Sequence, residues 1–418
     1  MLFKALPHVA AFFVISAGIA SCTDREGPPP YHLPAEWEPH EAVWLSYSGI
    51  PTDTVLDKLV AHLEPGAGIV CVVDGDSVSR VVKARWDSLG IGANARFLVM
   101  PDPLSSPVVR DAGPIFLKRA EGGLAILDPD WNYYGDFDNK VGMPEKVLAI
   151  HDSFPTTMAR HTGLPVLHSP MVIEGGAVEV NGSGTLLQVE AVTMQRNPGW
   201  SRDSLEKELK RVFGVRNIIW LKEGPADDMW YLRPRIHGRV FNQGTGGHVD
   251  EFCRFVNKKT VLLAWPEDDE LTDSVQIVTR RRMEENLRIL QAARTETGEP
   301  IDVVKVPVPE TEYYTHRLDS AKRYDRIFLE IYPDLHVGDT IQYIPAASYL
   351  NYLVTNGRVF VAAYWRDGMP EAMREKDLRF QEIMRHWYPD RTIVPVDPRA
   401  INWHGGGMHC WTQQQPFP

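Results

Sequence analysis

The sequence predicts an α/β fold, and three observations carry that reading. Short apolar runs of strand length recur along most of the chain. Stretches with helical apolar spacing fall between several of them, and no low-complexity interval divides the sequence past its first few dozen residues. With 418 residues, 44% of them hydrophobic and 24% charged, the chain can bury a substantial core. No repeat of fixed period is visible by eye, so any internal symmetry has to be structural.

The elements follow in order. "AVWLSYS" at 42–48, "IVCVV" at 69–73, "RFLVM" at 96–100 and "LAIL" at 124–127 read as strands. "GTLLQV", "NIIWL", "TVLLAW", "RIFLEI", "RVFVAAY" and "TIVPV" continue the series as further strands. Between the first two, "TVLDKLVAHLE" sets Val55, Leu56, Leu59, Val60 and Leu63 on one stripe, the spacing of an amphipathic helix. "SRDSLEKELKRVF" opens on Ser201 as a capping residue and repeats Leu205, Leu209 and Val212. A long helix is expected over about 272–296.

The formal charge of −11 argues against a nucleic-acid partner and is compatible with a cationic substrate. At the N-terminus, Lys4 precedes an apolar run from Val9 to Ala20, too short to span a bilayer and shaped like a secretory signal. Ile19-Ala20-Ser21-Cys22 resembles a bacterial lipobox, so Cys22 is the expected lipidation site; the alternative is an ordinary cleaved signal. The expected division is a signal peptide at 1–22, a Pro-rich linker at 23–34 and one catalytic domain at 35–418. The expected location is outside the cytoplasm, held to a membrane by lipid alone. Cys71, Cys253 and Cys410 remain. Cys71 sits in an apolar strand and reads as inert core, and an odd count implies no disulfide framework.

Four loop-like, polar stretches carry the chemistry. "SSPVVRDAGPIF" brings Arg110 and Asp111 before a Gly-Pro turn, where an Arg-Asp neighbour pair reads as an ion pair. "VIEGGAVEV" sets Glu174 before two glycines, where backbone can approach a ligand closely. "GTGGHVDEFCRFV" spaces His248 and Asp250 two apart, on one face if extended. "INWHGGGMHCWTQQQP" holds Cys410 behind three glycines. A thiol nucleophile needs a proton carrier, and histidine titrates in the right range. Carboxylates answer a positive substrate: opposite charges about 4 Å apart in a partly buried site attract by roughly 4 kcal/mol. One cysteine, one histidine and several acids therefore suit a guanidinium, whose carbon is electrophilic only while its charge is held.

Together "PAEWEPHEAVWLSY", "VVRDAGP", "EGGAVEVNGSGTLL", "GHVDEFCRFV", "PAASYLNYLVTNGRVFV" and "GGGMHCWTQQQP" resemble the agmatine deiminase and bacterial peptidylarginine deiminase family, in the family's order over 31–418. The resemblance implies a five-bladed α/β propeller with pseudo-fivefold symmetry around an acidic pocket. It implies Cys410 as nucleophile, His248 as general acid and base, Asp111 and Asp250 gripping the guanidinium, and Glu174 as a further acidic contact. Gly407 and Trp131 are expected beside the substrate, and no metal or organic cofactor is implied. His409 is expected to point away, and Cys253 to be a buried small hydrophobe. Two positions depart from the family's pattern: Val109 stands where an aromatic is common, and Ala177 where a polar residue is common.

The acidic stretch "LDPDWNYYGDFDN", 127–139, lies where the peptidylarginine enzyme resembled here uses arginines, so an amine-ended guanidine, agmatine above all, is the expected substrate. Peptidylarginine is the alternative, since an exported enzyme meets peptides. Two other classes remain: a metallohydrolase with His248, Asp250 and Glu174 as ligands, and a non-catalytic binding lipoprotein.

Overall fold

The computed structural model describes residues 29–47, 53–63, 66–100, 108–140, 142–230 and 232–418. The expected signal and Cys22 lie outside the described residues. Short strands and covering helices alternate, as the apolar pattern requires, and the fold is mixed α/β.

Among the described residues the strands form six sheets, and five share one plan: an antiparallel pair followed, after a helical crossover, by a parallel strand. Thr412–Pro416 pairs antiparallel with His40–Tyr47, which pairs parallel with Gly68–Asp74 and so reaches Arg96–Met100. Ile115–Arg119 and Leu124–Asp130 run antiparallel, with Val166–Val172 parallel beside them. The same sequence of pairings joins Glu179–Val180, Thr185–Val189 and Asn217–Leu221. It recurs in Cys253–Phe255, Thr260–Ala264 and Asp302–Val306, and again in Leu353–Thr355, Arg358–Ala362 and Thr392–Val396. The last strand of the chain thus completes the sheet begun by the first long one. Tyr31–His32 adds an edge strand against Ile115–Arg119, so the end of the Pro-rich stretch is already part of the fold.

The crossover helices form where the sequence spaces its apolar residues helically. In Asp53–Leu63 all five stripe residues are buried, each worth about 1.5–3 kcal/mol of transfer free energy. In Arg202–Phe213 the Ser201 side chain accepts the Ser204 N–H, and Gly214 closes the helix in the left-handed conformation. The long helix runs Ser274–Ala292, capped by Asp273.

One expected strand is a helix. "RIFLEI" lies in Arg323–Ile331, where Ile327 and Phe328 turn inward and Asp325 accepts from the His316 ring and the Asp319 N–H. A short apolar run fits either element, and here the helical partners decide. This helix covers the sixth sheet, ordered Arg235–His237, Val240–Phe241, Thr340–Tyr343 and Tyr314–Arg317, which stands outside the fivefold plan.

Candidate active site

The segment leading into the antiparallel pair of each of the five like sheets carries one or two groups of a single buried cluster. Asp111 precedes Ile115–Arg119, Glu174 precedes Glu179–Val180, and His248 and Asp250 precede Cys253–Phe255. Asn351 precedes Leu353–Thr355, and Cys410 precedes Thr412–Pro416. Cys410, His248, Asp250, Asp111 and Glu174 are between 0% and 3% exposed.

Gly176 marks the centre. A Cβ there would lie 2.6 Å from His248 Nδ1, 2.9 Å from Asp111 Oδ1 and 3.0 Å from Asp250 Oδ2, so only glycine leaves these three groups room to face one another. The Gly176 N–H donates to Asp111 Oδ1 at 3.0 Å, and the Tyr134 hydroxyl donates to Asp111 Oδ2 at 2.9 Å. Cys410 Sγ lies 3.5 Å from Asp250 Oδ2 and 3.6 Å from Glu251 Oε1. Of the four residues expected to converge, His248, Asp111 and Asp250 meet at Gly176, and Asp250 in turn neighbours the Cys410 sulfur. His248 Nδ1 and Asp250 Oδ1 are buried without a hydrogen-bond partner, although Asp111 Oδ1 stands 3.6 Å from the former.

Electrostatics follow from burial among acids. Asp111, Glu174 and Asp250 hold the His248 imidazolium against desolvation, raising it to about 9. Burial raises the Asp111 carboxyl to about 6, with Asp250 and Glu174 adding to the rise and His248 opposing it. Burial lifts the Cys410 thiol well above its ordinary value, and Asp250, Glu251 and Asp111 push it further; the Gly407 N–H partly offsets them. Burial lifts the Glu251 carboxyl well above its ordinary value, and Asp250, Asp228 and Asp227 add to the rise.

Several expectations need correction. Arg110 and Asp111 are neighbours but not an ion pair: in the short helix Val109–Ala112 they diverge. Arg110 donates to Glu36 Oε1, Gln414 Oε1 and the His409 carbonyl, bracing the strand behind Cys410. His248 and Asp250 are not on an extended segment. His248 caps the 3-10 turn Val249–Glu251, and that turn aims both side chains inward. Glu174 is not a free acidic contact, because Arg196 holds Oε1 at 2.6 Å and His248 Nε2 meets Oε2 at 2.6 Å. It orients the histidine instead.

Trp131 stands behind Tyr134, ring centroids 5.1 Å apart, and Tyr134 is the aromatic that reaches Asp111. His409 does not point away; its ring joins Asp250 Oδ2 at 2.7 Å and Glu36 Oε1 at 2.6 Å. In the 127–139 stretch, Asp128 pairs with His168 and Asp136 accepts the Lys140 N–H, so those two acids are already engaged. Cys253 is buried in its strand, as expected. Cys71, Cys253 and Cys410 are all free thiols.

The three glycines before Cys410 have distinct tasks. Gly405 and Gly406 take positive φ, and a Cβ on Gly406 would come within 2.5 Å of Sγ. A Cβ on Gly407 would come within 2.8 Å of Asn351 Oδ1.

Sequence reasoning missed Asn351 and Glu251 as site residues. Asn351 Nδ2 donates to Glu251 Oε1 at 2.8 Å, Cys410 Sγ at 3.0 Å and Asp250 Oδ2 at 3.2 Å. Its Oδ1 accepts the N–H groups of His409 and Cys410. The signal for Glu251 was adjacency to Asp250. Asn351 sat in a matched motif without a charge to mark it. Asp250, Glu251 and Cys410 also form a group whose ligand atoms lie within 4.8 Å of one another. The ligand set expected of a metallohydrolase is different, and Glu174, with both oxygens engaged, does not fit it.

Comparison with known proteins agrees with the geometry. Residues 32–416 match the model of the Porphyromonas-type peptidyl-arginine deiminases. A Streptomyces coelicolor protein named provisionally as an agmatine deiminase is 33% identical, over 92% of this chain and 99% of its own. The agmatine deiminase of Pseudomonas aeruginosa is 28% identical, over 93% and 96%. The solved agmatine deiminase of Enterococcus faecalis superposes with a TM-score of 0.71 at 21% identity, over 94% of this chain and 98% of that one. The chain belongs to the Porphyromonas-type peptidyl-arginine deiminase family.

Proposed function

We propose that this enzyme hydrolyses the guanidinium of agmatine to a ureido group and ammonia, with Cys410 as nucleophile and His248 as proton carrier. The single observation that carries the reading is the meeting of an imidazolium and two carboxylates around Gly176, with the Cys410 thiol 3.5 Å from one of those carboxylates, Asp250, and with His248 Nδ1 and Asp250 Oδ1 buried and unpartnered. A planar cation with N–H groups on several sides answers those acids. Relatives named agmatine deiminase support the choice of substrate.

The steps follow from the proton states. Without substrate, burial and the surrounding acids favour the protonated thiol. An entering guanidinium brings a positive charge beside the sulfur, favouring thiolate, and the thiol proton leaves to solvent. The thiolate adds to the guanidinium carbon while Asp111 and Asp250 hold the nitrogens. His248 gives its proton to the departing nitrogen, the C–N bond breaks and ammonia leaves. The S-alkylthiouronium remains on Cys410. Neutral His248 then takes a proton from water, and hydroxide adds to the same carbon. The C–S bond breaks, the product leaves as a urea, and the sulfur regains a proton.

A cleft whose wall residue Asn402 is bonded to the loop of the nucleophile supports the choice of an amine-ended substrate. Asn402 donates to the Gly406 carbonyl at 2.9 Å, and Asn402 also lines a cleft with Asp227, Glu310, Glu312 and Tyr314. Glu310 and Glu312 pair with Lys376 and Arg399. Asp227, which burial raises to about 7, is the acid we assign to the substrate's ammonium. We assign amine recognition to this cleft in preference to 127–139.

The repeated sheet plan supports a five-bladed propeller with the site at its axis, the sixth sheet being an addition. The N-terminal segment supports export and lipid attachment at Cys22, and labelling with a fatty-acid analogue in wild type and Cys22→Ala tests that. For the activity, purified 23–418 given agmatine, free arginine and arginine peptides should release ammonia from agmatine. Release that survives both Cys410→Ala and His248→Ala would refute the assignment.

A further inference from the structure

Two strands of the sixth sheet, Arg235–His237 and Val240–Phe241, lie on an excursion whose ends meet. The chain leaves after Asp228 and returns at Gly244, whose N–H donates to Met229 O at 2.7 Å, and Trp230 bridges to Gly244. Asp228, at the root, accepts the N–H groups of Thr245, Gly247 and His248, so the excursion hangs from the loop that carries the catalytic imidazole. The excursion and the sheet touch two further loops near the site. On one side Trp230 Nε1 donates to the Tyr134 carbonyl at 2.8 Å. On the other, Tyr343 and Tyr314, on two adjacent strands of the sheet, grip the indole of Trp403. Trp403 stacks on Tyr343 at 5.5 Å with the rings 10° apart, and meets Tyr314 edge-on at 4.5 Å.

Trp403 precedes the glycine run of Cys410 and is 40% exposed, while Cys410 itself is 2% exposed. Trp403 and Tyr314 are both walls of the cleft assigned to the substrate's amine. A large ring clamped on two sides is therefore fixed in the wall of that cleft, on the segment that leads to the buried Cys410. An unbranched alkyl guanidine can thread past such a wall. An arginine within a peptide carries backbone on both sides of its Cα and needs the wall to retreat.

We propose that Trp403, clamped by the sixth sheet, is the size gate that restricts this enzyme to small guanidines and excludes peptide-borne arginine. The inference rests on the deimination proposed above. Discrimination by shape at an apolar wall reaches about a hundredfold. The stacking makes the wall rigid rather than merely present.

The test compares kcat/KM for agmatine and for a blocked tripeptide with central arginine, in wild type and in Trp403→Ala, Tyr343→Ala and Trp403→Phe, with ammonia release as readout and thermal midpoints in parallel. Wild type should favour agmatine by about a hundredfold or more. Trp403→Ala and Tyr343→Ala should each narrow that ratio by about tenfold, and Trp403→Phe should keep most of it. Wild type that turns over the tripeptide about as fast as agmatine overturns the gate without any variant, whether or not the alanine variants fold. Folded alanine variants that retain the wild-type ratio also overturn it. In both cases agmatine turnover persists and the deimination stands. A protein that releases ammonia from neither substrate overturns the deimination itself, and the gate with it.

Discussion

Replacing Glu174 by glutamine separates charge from shape at the heart of the site. The wild-type carboxylate spans two cations, with Arg196 on Oε1 and His248 on Oε2. The His248 imidazolium stands at about 9 against an ordinary 6.5, and Glu174 raises it through both a hydrogen bond and its charge, second to Asp111. That rise corresponds to roughly 3 kcal/mol favouring the protonated ring. Because the folded value lies above the unfolded one, this stabilisation is complete below about pH 6.5 and is lost as pH rises through about 9. Glutamine keeps the acceptor but not the charge, and it leaves Arg196 buried without its counter-ion. Breaking a buried pair from one side costs about 3–5 kcal/mol.

Two readouts follow. The alkaline limb of kcat/KM, which reports the free enzyme, should move toward neutrality by about one pH unit or more. Urea midpoints at about pH 6 and about pH 10 should show a large deficit for the variant at the lower pH and a smaller one at the higher. An alkaline limb that stays near 9, with a stability deficit independent of pH, would refute the claim that Glu174 holds the imidazolium.

Other outcomes are equally concrete. Wild-type kcat/KM should be bell-shaped, rising as Asp111 ionises near 6 and falling as His248 deprotonates near 9; a flat profile between about pH 5 and 10 would contradict both assignments. Gly176→Ala, whose Cβ would enter the space between His248, Asp111 and Asp250, should lower kcat/KM for agmatine by about a hundredfold while urea denaturation still shows a cooperative fold. Asn351→Ala removes donors from the thiol and both neighbouring acids and should lower kcat by about tenfold or more. Exhaustive chelation should leave turnover unchanged, whereas loss restored by a divalent cation would favour a metal at Asp250, Glu251 and Cys410.

Most strands and crossover helices were legible because apolar periodicity records burial directly, as the Val55–Leu63 stripe shows. The repeat was not legible. Steps of 74, 101 and 59 residues separate Glu174 from His248, Asp250 from Asn351 and Asn351 from Cys410, because crossovers and the sixth sheet lengthen the units unequally. Charged and nucleophilic residues near glycines announced Cys410, His248, Asp111 and Asp250. Their partners did not announce themselves. Whether Glu174 meets substrate or orients His248 depends on Arg196, which lies on a helix whose packing no local pattern reveals. His409 looked misdirected because strand alternation was assumed, but its backbone N–H is held by Asn351 and its ring is turned onto Asp250. "RIFLEI" failed for a related reason: six residues are too few to distinguish the two periods.

The covalent step admits the most direct test. Acid-quenched enzyme taken during agmatine turnover, digested and weighed, should show the Cys410 peptide heavier by agmatine less ammonia. Cys410→Ala should show neither that adduct nor ammonia release. Undiminished ammonia release by Cys410→Ala would contradict the account at its root.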